Sequence, residues 1–370
     1  RERIGSPYAL GQVVVQPGTG RVKAMAVNRK YSLDKSDNGR HTDGREEPGN
    51  YPNTVNPLLG GGDLPGYQAG STFKMFTMLA ALDSGMPLNT WIYSPGTLKS
   101  VYFAGWGEPA SCGNGYWCPR NASGAMTGNQ SMWTGFGKSV NTYFVQLEQK
   151  VGAENVVRMA ERLGLRWRTD IDKLQASPAK AAGWGAFTLG VADTTPLEMA
   201  NAYATVAAEG KYCEALPIME ITGPDGRRAM FDGKPVAEPR CSQAISVEAA
   251  RAAADAARCV TGYGAGASGC GGWSTAPSVY RMTGRPVGGK TGTTDDNRAA
   301  WFVGFTPDLA AAGFMADPDN PFHSVGGGNA YKPIEAVSYT LRDSLVGQPV
   351  SYFTAPAGDI VGKAPAKKSP

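Results

Sequence analysis

Strand-forming segments stand at the two ends of this chain and helical segments fill its middle, a distribution that constrains the fold more than any other feature. Near the start, Gly11–Gln16 and Arg21–Val27 are apolar runs separated by Pro17-Gly18-Thr19-Gly20, the pattern of a β-hairpin. Near the end, Pro286–Thr294, Ala300–Phe305 and Leu309–Ala316 read as strands, the last two joined by a turn at Thr306-Pro307-Asp308. Between them the sequence predicts helices over Ser71–Leu82, closed by Gly85, and over Ser139–Val151 and Ala153–Leu163, split near Gly152. Two more are predicted over Thr195–Ala208, which opens with a Thr-Pro start signal, and over the alanine-rich Val247–Cys259, with a last one at Ile334–Leu345. Pro217–Thr222 reads as an additional strand before a turn at Gly223–Gly226. No segment repeats another. The expected architecture is α+β: an antiparallel β-sheet built from N- and C-terminal strands, with an all-helical region and flanking helices.

Glycine supplies 49 of the 370 residues, against a usual share of about 7%. With 26 prolines, this predicts long, shaped loops, and two stretches fit: the polar 32–66, and 91–135 with Trp91, Trp106, Trp117 and Trp133. Residues 1–355 are expected to form one domain carrying those two insertions. Residues 356–370, rich in Lys and Pro, are expected to be a disordered tail. A net charge of +4 is too mild to argue for nucleic acid, and 42% hydrophobic residues suffice for a core. No apolar run is long enough to span a membrane. The chain opens at Arg1-Glu2-Arg3 with neither an initiator Met nor an apolar leader, and it is expected to be a piece of a longer protein.

Six cysteines, an even count, fit three disulfides and an oxidising compartment. Sequence alone leaves their pairing open. Nearest neighbours are favoured: Cys112 with Cys118 across two glycines, Cys259 with Cys270 across a glycine-rich bend, and Cys213 with Cys241. The alternative is six buried free thiols in a cytosolic enzyme. A zinc site is disfavoured, because no C-x-x-C spacing occurs. Only His41 and His323 are present, so an imidazole-rich metal site is not expected, and His41 reads as a solvated residue of a polar loop. If the chain performs acyl transfer, its base is then sought among lysines.

A Ser-x-x-Lys motif puts a nucleophile and a base one helical turn apart on one face. It occurs three times, at Ser32–Lys35, Ser71–Lys74 and Ser177–Lys180. Ser32 lies in the polar loop, and Ser177 precedes a proline outside any long helical pattern; both read as solvated. Ser71 follows Gly70 and opens an apolar helix containing Phe73, Met75, Phe76, Met78, Leu79 and Leu82. A lysine in so apolar a first turn is either a snorkelling edge residue or a functional one. At a helix start the Ser71 backbone N–H lacks an intrahelical partner and can face a developing oxyanion. Two more motifs follow in order. Ser139-Val140-Asn141 begins a predicted helix, and Lys290-Thr291-Gly292-Thr293 lies in a predicted strand. Gly288, Gly289 and Gly292 remove side chains that would block a ligand lying along that strand, and alternation sets Thr291 and Thr293 on one side of it.

This set resembles the serine penicillin-recognising enzymes, the penicillin-binding proteins and serine β-lactamases. Gln68–Lys74 and Ser139–Leu147 resemble the high-molecular-mass penicillin-binding proteins, and Thr188-Leu189-Gly190, Thr195–Ala200, Gly289–Thr293 and Ala300–Phe305 are similar to their bifunctional class A members. The resemblance covers about residues 10–345; the loops at 32–66 and 91–135 depart from it. It implies that Ser71 is the acylated nucleophile, that neutral Lys74 takes its proton, and that Ser139 relays a proton to the leaving amine. It further implies that Asn141 holds the substrate amide and that Thr291, Gly292 and Thr293 line the terminal carboxylate, with Lys290 adding charge. The N–H groups of Ser71 and Thr293 would form the oxyanion hole. No metal and no organic cofactor is expected.

The implied activity is that of a D,D-transpeptidase, or carboxypeptidase, acting on peptidoglycan stem peptides that end in D-Ala-D-Ala and inhibited by β-lactam antibiotics. Its expected location is the extracytoplasmic side of the bacterial membrane, with an anchor and a glycosyltransferase domain outside this chain, and with cell-wall synthesis proteins as partners. A serine β-lactamase is the enzymatic rival. It would need a deacylating carboxylate such as a Glu-x-x-Leu-Asn segment, and none lies between Ser139 and Lys290. A non-enzymatic β-lactam-sensing domain is the other rival; it is usually shorter and lacks the class A flanking segments.

Overall fold

The central sheet joins the two ends of the chain. A computed structural model describes residues 7–36, 38–49, 57–61, 64–264 and 269–362. Strands β1 (Ala9–Val15), β2 (Val22–Val27), β3 (Gly288–Thr293), β4 (Ala299–Phe305) and β5 (Ala310–Ala316) form one antiparallel sheet in the order β3-β4-β5-β1-β2. Ala9 pairs with Ala316 and Val15 with Ala310, so the first strand lies against the last. The expected α+β architecture is the one observed.

β4 and β5 are buried at every position, which is why they lack the alternation of a half-exposed strand. The helices that frame the sheet and the site are α1 (Lys74–Asp83), α2 (Met132–Gly137), α3 (Asn141–Val151), α4 (Ala153–Arg162), α5 (Pro196–Ala207), α6 (Val247–Thr261) and α7 (Lys332–Ser344), with shorter ones at Asp170–Gln175, Val279–Thr283 and Gly358–Val361. α7 covers one face of β4 and β5. Gly304 and Gly313 make room for it, because a Cβ at either would press on Val337. The other face carries Trp301, Phe305 and Phe314. There Tyr203 of α5 meets Phe305, with ring centroids 6.0 Å apart. α1, buried from Lys74 to Leu82, runs through the helical layer against α3, α4 and α6. α5 starts where expected, with a capping box between Thr195 and Glu198 and a proline in its first turn.

Some expectations are corrected. Pro217–Thr222 is not a strand: only an isolated bridge, Thr222 to Arg228, forms there, although the turn at 223–226 is present. An extended apolar run becomes a ladder only if a partner edge is free, and the nearby pairs Met230–Phe231 with Lys234–Pro235, and Lys211–Cys213 with Cys241–Gln243, use other residues. Residues 356–362, expected in the disordered tail, pack on the body: Leu88 N–H donates to Ile360 O at 2.8 Å and Ala357 N–H to a Glu248 carboxylate oxygen at 2.6 Å. Residues 363–370 lie outside the described residues. His41 is buried, not solvated, with Nδ1 3.9 Å from both Asp43 and Asp319.

The disulfides join Cys112 to Cys118, Cys213 to Cys241 and Cys259 to Cys270, leaving no free cysteine. The described part of 32–66 is irregular, as expected. The 91–135 region is irregular too, apart from a short pairing of Ile92–Ser94 with Gly128–Gln130 and helix α2. Among the described residues, no helix is long and apolar enough to cross a membrane.

Candidate active site

Three glycines bring the chain segments of the site into contact. Gly70 adopts φ +56° and Gly190 φ +74°, left-handed conformations that glycine enters without cost. A Cβ at Gly70 would overlap the Thr293 carbonyl, one at Gly190 would overlap the backbone of Gly70, and one at Gly292 would overlap the Ala69 carbonyl. The turn before α1, the end of β3 and the Thr188-Leu189-Gly190 segment therefore touch backbone to backbone. Gly70–Phe73 form a 3-10 turn rather than the first turn of an α-helix, which corrects the predicted start at Ser71. Two long-range bonds fix it: Tyr203 O–H donates to Thr72 O at 2.8 Å, and Trp301 Nε1–H donates to Gln68 O at 3.0 Å.

Lys74 is fully buried. Its Nζ lies 2.9 Å from Ser71 Oγ, 2.7 Å from the Ser139 carbonyl, 3.1 Å from Ser139 Oγ and 2.6 Å from Asn141 Oδ1. Burial, and then the Lys290 charge beside it, hold the Lys74 ammonium well below its usual pKa. A neutral amine has two N–H bonds and one lone pair. The Ser139 carbonyl and Asn141 Oδ1 can only accept, so they take the two N–H bonds. The lone pair is then left to face a hydroxyl, and Ser71 offers one at bonding distance.

Ser139 does not begin its helix, as the sequence suggested. It sits at φ +60° in the link between α2 and α3, a region that non-glycine residues enter rarely. Ser139 N–H donates to Phe136 O and Val140 N–H to Gly135 O. The result is a hydroxyl held between two amines, since Lys290 Nζ lies 2.8 Å from Ser139 Oγ. Lys290 is also fully buried, and burial brings its pKa down to about 7. Its Nζ stands over the Phe136 ring at 5.5 Å and Lys74 Nζ over the Phe144 ring at 5.9 Å.

These groups open on a cleft of about 530 Å³ that Ser71, Ser139, Asn141, Thr291 and Thr293 all line. Sequence reasoning missed Thr275, Arg120 and Asn121 as contributors. Thr291 Oγ1 donates to Thr275 Oγ1 at 2.8 Å, and Thr275 also faces the cleft. Trp117, Arg120 and Asn121 of the 91–135 loop supply another wall. For Thr275 the only available hint was the Cys259–Cys270 bridge just upstream, which pins its loop. The other Ser-x-x-Lys copies stay apart: Ser32 and Ser177 bond locally, to Asp34 N–H and Leu174 O, and Lys35 and Lys180 are exposed. Among the described residues no cluster of His, Cys, Asp and Glu could hold a metal ion.

A sheet wall and a helical wall thus meet at two serines and two buried lysines within hydrogen-bonding distance. Residues 10–334 match the family model described as the penicillin binding protein transpeptidase domain, and the chain belongs to that family. It is 29% identical over 301 residues to penicillin-binding protein 1A of Neisseria lactamica, covering 80% of this chain and 33% of that protein. It is 28% identical over 357 residues to penicillin-binding protein 1A of Rickettsia prowazekii, covering 90% of this chain and 39% of that protein. The chain thus spans 33% and 39% of the length of these two relatives. The PonA1 protein from Mycobacterium tuberculosis, solved in complex with penicillin V, aligns with a TM-score of 0.69 at 22% identity. That alignment covers 98% of this chain and 85% of the other, and it establishes the fold.

Proposed function

We propose that this domain is a D,D-transpeptidase that cross-links peptidoglycan stem peptides through an acyl-enzyme on Ser71, and that β-lactams acylate the same oxygen. The observation that carries the reading is the buried Lys74 amine, 2.9 Å from Ser71 Oγ with a second buried lysine beside it. Ser71 Oγ attacks the carbonyl carbon of the penultimate D-Ala, and its proton passes to Lys74. The oxyanion is held by the N–H groups of Ser71 and Thr293. Ser139 hands a proton to the departing D-Ala nitrogen and is resupplied from Lys74, so the C–N bond breaks with its proton count balanced. An acceptor amine then attacks the ester, its proton returns along the same path, and Ser71 is released. With water as acceptor the site acts as a carboxypeptidase.

Asn141 holds the substrate amide. Thr291 and Thr293 bind the terminal carboxylate, and Gly292 leaves space for it. Lys290, with its pKa near 7, is drawn to its charged form by the arriving carboxylate. No cofactor enters these steps. Three disulfides suit an oxidising compartment, in keeping with work on the extracytoplasmic side of a bacterial membrane, where cell-wall synthesis proteins are the partners.

Labelling with a fluorescent penicillin followed by peptide mapping tests the reading. A lasting adduct on Ser71, and D-Ala release from a D-Ala-D-Ala peptide, are expected. Rapid hydrolysis of the adduct would make the chain a β-lactamase, and no adduct at all would remove the family chemistry.

A further inference from the structure

Helix α3 begins without a cap of its own. The residue in its N-cap position is Val140, which has no side chain able to accept a hydrogen bond. The missing acceptor comes from another part of the chain. Asn121 Oδ1 accepts from Thr142 N–H at 3.0 Å, and Asn121 Nδ2 donates to Pro95 O and to Thr142 Oγ1, each at 3.0 Å. Its own backbone N–H donates to Gly96 O at 2.9 Å, and two residues upstream Pro119 O accepts from Leu98 N–H at 3.0 Å. The Arg120 peptide is thus clamped on both sides, and its carbonyl accepts from Asn141 Nδ2 at 2.8 Å.

That last bond decides which way the Asn141 amide faces. A carbonyl only accepts, so the NH₂ of Asn141 must turn to Arg120, and its Oδ1 must turn to Lys74, 2.6 Å away. Were the amide reversed, its NH₂ would meet the Lys74 amine and its oxygen would oppose the Arg120 carbonyl. Lys74 would lose one of the two acceptors that occupy its N–H bonds, and its lone pair would be drawn from Ser71.

We infer that Asn121 is a positioning residue for acylation: it caps α3 from outside the helix and, through the Arg120 carbonyl, holds Asn141 with its oxygen towards Lys74. The inference rests on reading Ser71, Lys74, Ser139 and Asn141 as the acylation site. It gives the 91–135 loop a task in the chemistry as well as in the wall of the cleft.

Stopped-flow acylation by a chromogenic β-lactam tests it on the whole chain. Asn121→Ala is expected to lower the limiting acylation rate about tenfold, with little change in the half-saturating concentration. Asn121→Asp retains an oxygen for the Thr142 N–H and adds a negative charge at a helix start, so it should recover most of that rate. Should Asn121→Ala not fold, Asn121→Ser, whose hydroxyl is too short to span both partners, should show a loss of about threefold. A purely structural residue would lower the melting temperature while folded protein acylated at the original rate; a limiting rate within twofold of the parent in the Ala or Ser variant, or an Asp variant as slow as the Ala variant, overturns the inference. Asn141→Ala measured alongside separates the two claims. If it abolishes acylation while Asn121→Ala does not, only the positioning role fails; if it acylates normally, the site reading fails.

Discussion

The Nζ of Lys290 donates to the Oγ of Ser139 at 2.8 Å, across 151 residues of sequence. One bond therefore ties the edge strand of the sheet to the link between two helices, and it does so at a serine that lines the cleft. Lys74 reaches the same oxygen from the other side at 3.1 Å.

Ser71 is expected to be the sole nucleophile. Ser71→Ala should abolish covalent penicillin labelling and leave circular dichroism unchanged. An adduct mapping to Ser32 or Ser177 in that variant would overturn the assignment.

The two lysines should not be interchangeable. Lys290→Arg keeps a positive charge by the carboxylate, whereas Lys74→Arg replaces the base with a group that does not deprotonate usefully. Acylation should fall at least tenfold further in Lys74→Arg than in Lys290→Arg; equal losses would count against this division of labour.

Stability should carry the mark of these buried amines. In the unfolded chain Lys290 has a pKa of about 10.4; in the fold it lies at about 7. Between those values the unfolded chain binds a proton that the folded one does not, so stability from this group rises with pH through the window. The penalty is full below about pH 7 and gone above about pH 10.4. Lys290→Met should thus raise the melting temperature relative to the parent most at pH 7, with the gain shrinking towards pH 10. A gain that stays constant or grows with pH would refute the shift.

Gly70→Ala should be costly twice over. Its φ of +56° disfavours any side chain, by about 1–2 kcal/mol, and the new methyl group would strike the Thr293 carbonyl. Opening that contact moves Ser71 relative to β3, so acylation should fall about 100-fold, well beyond what the loss of stability explains. A variant that melts early but acylates at the parent rate would show the contact to be dispensable.

The disulfides should differ in kind. Cys213 and Cys241 are 28 residues apart and Cys112 and Cys118 only 6, so removing the longer bridge should cost roughly 1 kcal/mol more in chain entropy. The shorter one closes the loop that leads into Pro119, Arg120 and Asn121. Cys112→Ser with Cys118→Ser should therefore slow acylation more than it lowers the melting temperature, and Cys213→Ser with Cys241→Ser should do the reverse. Matching profiles from the two pairs would exclude this.

The sequence carried the sheet and most helices because their signals are local. Proline and threonine at 195–196, the glycines after helices and the apolar terminal runs each act within a few residues. The motif serines and lysines were legible by spacing, and the structure brings Ser71, Lys74, Ser139, Asn141 and Lys290 within hydrogen-bonding reach of one another. What stayed hidden depends on distant partners. Ser71 enters a 3-10 turn because Thr293, Tyr203 and Trp301 shape it. Pro217–Thr222 has strand composition and no edge to join. His41 looked solvated because the aspartates near it come partly from position 319. Arg120 takes part through its carbonyl, a group every residue has, so no residue type could announce it.

The Ser139 hydroxyl, shared between one lysine 65 residues upstream and another 151 residues downstream, makes competence depend on contacts distant in the chain. Neither the N-terminal half nor the C-terminal half contains the assembly, and local helix formation cannot create it; only closure of the longest loops does. A folding intermediate with native helices but an undocked edge strand would therefore be blind to penicillin. Antibiotic labelling sampled along a refolding time course would count only molecules that have completed their long-range contacts, which turns an inhibitor into a clock for the last step of folding.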